Sequence, residues 1–213
     1  MTVSESPPTL VSLLPSAREL AQALALLQER EALSLPLIDA RATATLLDAC
    51  ERLTYRAARP LVGPAGQEVR QDFELSMDIG PDDPIRQLAA ALTVLTTEAR
   101  ALLPQDPVPE GLVFNDLIVQ RYVAGSAGIT PHRDHLRYRG IVVLVTLLGR
   151  SELLLCDDRA GSNPRGFPMA PGVATLMLAP GYGGGNRRPF HCVAKLSEPR
   201  VSLGLRHDTR PAS

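Results

Sequence analysis

Tryptophan is absent from this 213-residue chain, and aromatic residues of all kinds make up only 4% of it. A protein that extrudes a nucleic-acid base needs aromatic faces to stack it on, so the scarcity argues against base repair as the first reading. Lysine is nearly missing too. Lys195 is the sole example, and arginine carries almost all the positive charge. Cysteine occurs three times, at Cys50, Cys156 and Cys192, an odd number at no metal-ligand spacing. That excludes a disulfide framework and a cysteine-based zinc site, and fits buried apolar filler in a reducing compartment. No apolar run approaches the roughly 20 residues of a membrane span, and the N-terminal MTVSESPPTL has no basic region followed by an apolar one. The expectation is a cytoplasmic protein without membrane contact.

What is present is an ordinary globular composition, 45% hydrophobic and 21% charged, in a chain long enough for one domain with a substantial core. The net charge of −1 conceals a split. Residues 1–116 carry nine basic against seventeen acidic side chains, a net of −8, whereas residues 117–213 carry thirteen against six, a net of +7. Two readings stand beside each other: the basic half faces an anionic ligand, or the halves pack together through opposite charge.

In chain order, a Ser/Pro-rich tail over residues 1–14 is expected to be disordered. Ser16 and Glu19 fit a capping box ahead of Leu20, Leu24 and Leu27, which predicts a helix to about Arg30. Asp39 is the next N-cap, before Leu46, Leu47 and Cys50. The stretch Leu53–Val62 reads as extended, closed by Gly63–Gly66, and Gln71–Ile79 as a further strand. Asp83–Pro84 opens a third helix, because proline suits the first helical position, with Ile85, Leu88, Leu92, Leu95 and Leu102 at helical spacing to about Leu103. After Pro104 the rhythm changes to short apolar runs such as GIVVLVTLLG, ELLLC and RVSLGLR between Gly, Pro and Asn turns, as in an antiparallel sandwich or barrel. The fold class is thus α+β in a single domain: a mainly helical support over 15–111 and a β core over 112–207.

Within that core, His132 and Asp134 stand two apart beside strand-like sequence, so their side chains are expected to converge on one face. One more histidine would complete a two-His, one-carboxylate triad with open positions for a co-substrate and O₂ on iron(II). His191, in the buried-strand run PFHCVAKL, is the candidate. Arg200 and Arg206 follow, an even number apart and so on one face of a strand. A lone His-x-Asp is more often a hydrogen-bonded pair and a lone His191 a core histidine; the conjunction in this order is what favours a metal site. His135 and His207 are left structural. The run Gly181–Gly185 is too loosely spaced for a phosphate loop and reads as a loop at the site mouth.

The order Tyr122, His132-Arg133-Asp134, an apolar strand at 141–148, a turn-rich insert, His191, Arg200 and Arg206 resembles the Fe(II)/2-oxoglutarate-dependent oxygenases, and within them the AlkB-like branch. The resemblance covers residues 112–207. It implies a double-stranded β-helix, a cupin-like jelly roll, with the N-terminal helices packed against it. It also implies iron(II) held by His132, Asp134 and His191, with 2-oxoglutarate and O₂ as co-substrates. Arg200 would take the far carboxylate of 2-oxoglutarate with Tyr122 and Ser202, and Arg206 the metal-proximal end, or the reverse; Tyr122 is equally suited to core packing. Gln120 and Ser202 depart from the branch, which commonly has asparagine at both places. The implied reaction is hydroxylation or other oxidation of an organic substrate, a small molecule or peptide, with release of succinate and CO₂. Arg137 and Arg139, just outside the motif, would grip a carboxylate or phosphate on it. Oxidative demethylation of alkylated nucleic acid is the lesser reading, resting on Arg121, Arg133, Arg137 and Arg139. A noncatalytic metal- or ligand-binding jelly roll is the other alternative.

Overall fold

The computed structural model describes residues 12–194 and 196–210. Helix α1 (Ala17–Arg30) begins as its sequence requires: the Ser16 hydroxyl accepts from the Glu19 N–H at 3.3 Å, and the Glu19 carboxylate accepts from the Ser16 N–H at 2.8 Å. Strand β1 (Ala32–Pro36) follows directly. Five residues are too few for an alternation to be read, and the sequence pattern assigned no element there. Helix α2 (Ala40–Glu51) is capped by Asp39, whose carboxylate accepts from the Ala42 N–H at 2.7 Å. The extended segments beyond it break into β2 (Arg56–Ala57), β3 (Leu61–Val62), β4 (Val69–Asp72) and β5 (Glu74–Ser76). Helix α3 (Pro84–Arg100) starts with Asp83 accepting from the Ile85 N–H at 2.8 Å. It stops short of Leu103, where Arg100 turns to pair with Asp106 at 2.7 Å. Of the expected N-terminal tail, residues 1–11 lie outside the described residues, while Leu13 pairs with Ile38 in an antiparallel bridge.

The remaining strands are β6 (Asp116–Tyr122), β7 (Gly128–His132), β8 (Tyr138–Leu148), β9 (Ser151–Cys156), β10 (Arg165–Met169), β11 (Val173–Leu178), β12 (Phe190–Val193) and β13 (Arg200–Asp208). They form two antiparallel sheets facing each other in a jelly roll, in the orders β1-β11-β8-β13-β6-β5-β2 and β10-β9-β12-β7-β4-β3. The 15–111 region supplies both edges of the first sheet and two strands of the second. Its chain crosses between sheets at Phe73, where β4 ends and β5 begins.

Alternation on the central strands divides two cores. On β8 and β13, Ile141, Val143, Val145, Val201, Leu203 and Leu205 point outward against Leu24, Leu27, Leu46, Leu88 and Leu92 of the helices. Each such side chain contributes roughly 1.5–3 kcal/mol of transfer free energy. The opposite faces meet between the sheets, where Tyr122, Val142, Leu153, Leu155, Met177 and Val193 cluster. This is why GIVVLVTLL reads as continuously apolar: both faces of β8 are covered. Among the described residues no helix is long and apolar enough to cross a membrane.

Candidate active site

Between the sheets, His132 on β7 and His191 on β12 are direct register partners, with ring centroids 4.2 Å apart. Asp134 completes the group: one ligand atom of each of the three lies within 4.8 Å of the others. The expectation that Asp134 converges by strand alternation needs correction. Strand β7 ends at His132, and Asp134 reaches the site from the turn that follows. Both imidazoles are oriented from behind. The His132 Nδ1 lies 3.0 Å from the Thr130 carbonyl and the His191 Nδ1 3.2 Å from the Pro189 carbonyl, so each ring donates there and presents Nε2 inward.

Burial and the neighbouring His191 push His132 down to about 4, leaving it a neutral imidazole at pH 7. For Asp134 burial works against ionisation, but His191, Arg206 and His132 outweigh it and hold the carboxyl below its ordinary range. A neutral His132 imidazole beside an ionised Asp134 carboxylate offers the lone pairs a divalent metal requires.

Directly beside these three is a cavity of about 60 Å³, also lined by Gln120, Tyr122, Arg200 and Arg206. Arg200 is 1% exposed. Its Nε has no hydrogen-bond partner, its Nη2 reaches only the Met169 sulfur at 3.5 Å, and it forms no ion pair among the described residues. Its guanidinium lies 5.3 Å from the Tyr122 ring centroid. Burial pushes the Tyr122 hydroxyl up to about 12, so it is a neutral hydrogen-bonding group at physiological pH. Ser202 shares the inward face of β13 with Arg200, fully buried, and its hydroxyl and that of its cross-strand neighbour Thr146 are both unpartnered. Arg206 differs. Its Nε lies 2.9 Å from an Asp116 carboxylate oxygen and its guanidinium covers the Tyr138 ring at 4.5 Å.

The cavity opens into a groove of about 600 Å³ walled by the β3–β4 hairpin, Tyr138, Arg133, Arg159, Arg188 and Phe190. Arg137 and Arg139, expected to grip the substrate, do not line it. Tyr138 points inward at the start of β8, and Arg139 after it is turned to the other side, where it packs against Gly181. Arg137 is taken up locally: it pairs with Asp208 at 3.0 Å, donates to the Tyr138 hydroxyl at 2.8 Å and lies over that ring at 4.6 Å. The loop at Gly181–Gly185 is also away from the mouth, anchored by buried Tyr182, whose hydroxyl donates to the Leu24 carbonyl. His207 bonds the Val113 carbonyl at 3.0 Å, while His135 lines the groove. Arg159 and Arg188 were missed by sequence reasoning because they lie 25 and 54 residues beyond Asp134, with no local pattern tying them to it.

The architecture has solved counterparts. A prolyl hydroxylase from Trichoplax adhaerens, in complex with a hypoxia inducible factor oxygen degradation domain peptide fragment, superposes with a TM-score of 0.64 at 15% identity over 90% of each chain. An oxidoreductase of the 2OG-Fe(II) oxygenase family from Burkholderia pseudomallei gives 0.56 at 17% identity over 91% of each. The fold is that of the Fe(II)/2-oxoglutarate oxygenases. OsALKBH1 shares it too, with a TM-score of 0.54 at 14% identity over 83% of this chain and 97% of that one. Neither a protein-family model nor a curated protein sequence matches the chain.

Proposed function

We propose that this protein is a non-haem Fe(II)- and 2-oxoglutarate-dependent dioxygenase that hydroxylates, or otherwise oxidises, an organic substrate. The observation that carries this reading is Arg200, a buried cation without a counter-ion among the described residues, in the same cavity as a His-Asp-His cluster. Leaving such a charge unpaired is costly, and a dicarboxylate whose far end reaches Arg200 satisfies it through two parallel hydrogen bonds. Ser202 and Thr146 offer unpartnered hydroxyls on the same inner surface. His132, Asp134 and His191 would hold the iron; the Thr130 and Pro189 carbonyls accept from Nδ1 and so leave each Nε2 available as a lone-pair donor to it. Arg206, paired with Asp116, would position the proximal end, and its positive charge helps hold the Asp134 carboxyl low.

With both groups bound, the centre supplies oxidative decarboxylation of 2-oxoglutarate to succinate and CO₂, coupled to oxidation of a C–H bond. The groove above it admits a small molecule or a short peptide, and a peptide is what the T. adhaerens neighbour holds. A cytoplasmic location is part of this reading, from the odd number and the spacing of the three cysteines in the sequence. The test is succinate formation from 2-oxoglutarate under air with added iron(II). Wild-type protein is expected to produce succinate above the iron-only background, and Asp134→Ala to lose this together with iron(II) binding while keeping its circular dichroism. Full turnover in Asp134→Ala would overturn the metal assignment.

A further inference from the structure

The groove is unbalanced in charge. Four arginines line it, Arg133, Arg159, Arg188 and Arg206, and the single carboxylate among its walls is Asp134, which belongs to the metal cluster. Arg206 is matched by Asp116. The other three form no ion pair among the described residues, whereas Arg165 and Arg187 nearby are both matched by Glu31. They are nonetheless held in place. The guanidinium carbons of Arg133 and Arg159 lie 4.1 and 5.7 Å from the Phe190 ring centroid, so two cations gather at one aromatic ring. Arg188 donates to the Asp134 main-chain carbonyl at 2.8 Å, which fixes a third cation directly beside the metal cluster. A guanidinium carries five N–H donors, so each retains free donors toward the groove.

We propose that Arg133, Arg159 and Arg188 form a recognition site for an oxyanion, carboxylate or phosphate, and that the substrate is a small molecule bearing one. This rests on the oxygenase reading of the same site. A polyanion such as single-stranded nucleic acid fits less well, because the phenylalanine and tyrosine rings that line the groove each already carry a partner. Arg133 covers Phe190, Arg206 covers Tyr138 at 4.5 Å, and Phe73 packs on Tyr122 at 5.1 Å. These contacts compete with the stacking that an extruded base needs.

The test is calorimetric titration with inorganic phosphate and, separately, propionate, using metal-free protein and protein loaded anaerobically with iron(II) and 2-oxoglutarate. The proposal expects one of the two anions to bind in both states, and Arg133→Gln/Arg159→Gln to weaken it about tenfold; the preferred anion identifies the headgroup. Glutamine keeps part of the stem over Phe190, and the single Arg159→Gln variant, expected to weaken binding about threefold, gives the same reading should the double variant melt early. Binding that survives both substitutions, or is lost only in Arg200→Lys, overturns the site. A ten-nucleotide single-stranded DNA binding a hundredfold tighter than phosphate, with a steep salt dependence, overturns it in favour of a polyanion. Wild-type protein that binds an anion through these arginines but never consumes 2-oxoglutarate supports the anion site while refuting the oxygenase reading. Protein that consumes 2-oxoglutarate yet binds neither anion refutes the anion site alone.

Discussion

Arg200 has only the Tyr122 side chain and the Met169 sulfur beside it, against the cost of a charge removed from water. Burial accordingly lowers its hold on its proton. Replacing a buried charge with an apolar side chain of similar volume is often stabilising. Arg200→Met is therefore expected to raise the melting temperature of the metal-free protein by about 2 °C or more, the scale of a gain of ~1 kcal/mol in a chain of this size. It should weaken 2-oxoglutarate binding at least about 30-fold, the lower end for removing one partner of a buried charge pair. A drop in melting temperature of several degrees would instead mark the arginine as structural. Asp208 behaves oppositely. Hydrogen bonds from the Arg210 side chain, aided by Arg137, hold its carboxyl down at about 2. Because the folded value lies below the unfolded one near 3.9, the contribution is complete above about pH 4 and is lost as pH falls through about 2. Asp208→Asn should cost about 1 kcal/mol, or 2–4 °C, at pH 7, and the gap to wild type should close between about pH 4 and pH 2 in a melting series. A gap unchanged at pH 2 would show that packing, not charge, is responsible.

At the scale of elements, the placement of the two imidazoles depends on how β7 meets β12. Gly128 opens β7 at φ +78°, and a Cβ there would stand 2.0 Å from the Val193 carbonyl oxygen. The close approach accompanies the register shift that leaves His132 opposite His191. Gly128→Ala is expected to cost at least about 2 kcal/mol, hence roughly 4–8 °C, and to weaken iron(II) binding although no ligand is altered. Gly111→Ala is the control, since Gly111 has φ +69° but open space around its missing Cβ; it should cost only the backbone strain and leave iron binding unchanged. Equal effects at both glycines would separate the register from the site. The helix starts at Ser16, Asp39 and Asp83 were legible because a cap is a local hydrogen bond between near neighbours in sequence. Strand β1 and the crossing at Phe73 were not, because a short strand exists only through the partner it pairs with.

Across the whole molecule, the helical layer is half of a shared core. Val143, Val145, Leu203 and Leu205 are buried under it, and residues 15–111 also provide strands to both sheets. Residues 112–213 expressed alone should therefore yield aggregated or molten protein, seen as dye binding and loss of near-ultraviolet dichroism; a cooperatively melting fragment would show the β core to be self-sufficient. The sequence by itself determined the α+β class and the three helix starts, since helix caps are written in residue types and short spacings, and it grouped His132, Asp134, His191 and Arg200 through an order that resembles that of the Fe(II)/2-oxoglutarate oxygenases. Tertiary structure decided which arginines line the groove. Arg137 and Arg139 stand beside the motif in sequence but do not line the groove: the inward set of Tyr138 turns Arg139 to the other side of β8, and Arg137 is held by Asp208 and the Tyr138 hydroxyl. Arg159 and Arg188, distant in sequence, arrive at the groove because the loop after β9 and the segment before β12 end at the same mouth of the jelly roll. Which strand ends share that mouth depends on pairing between residues far apart in the chain, and no local pattern encodes it.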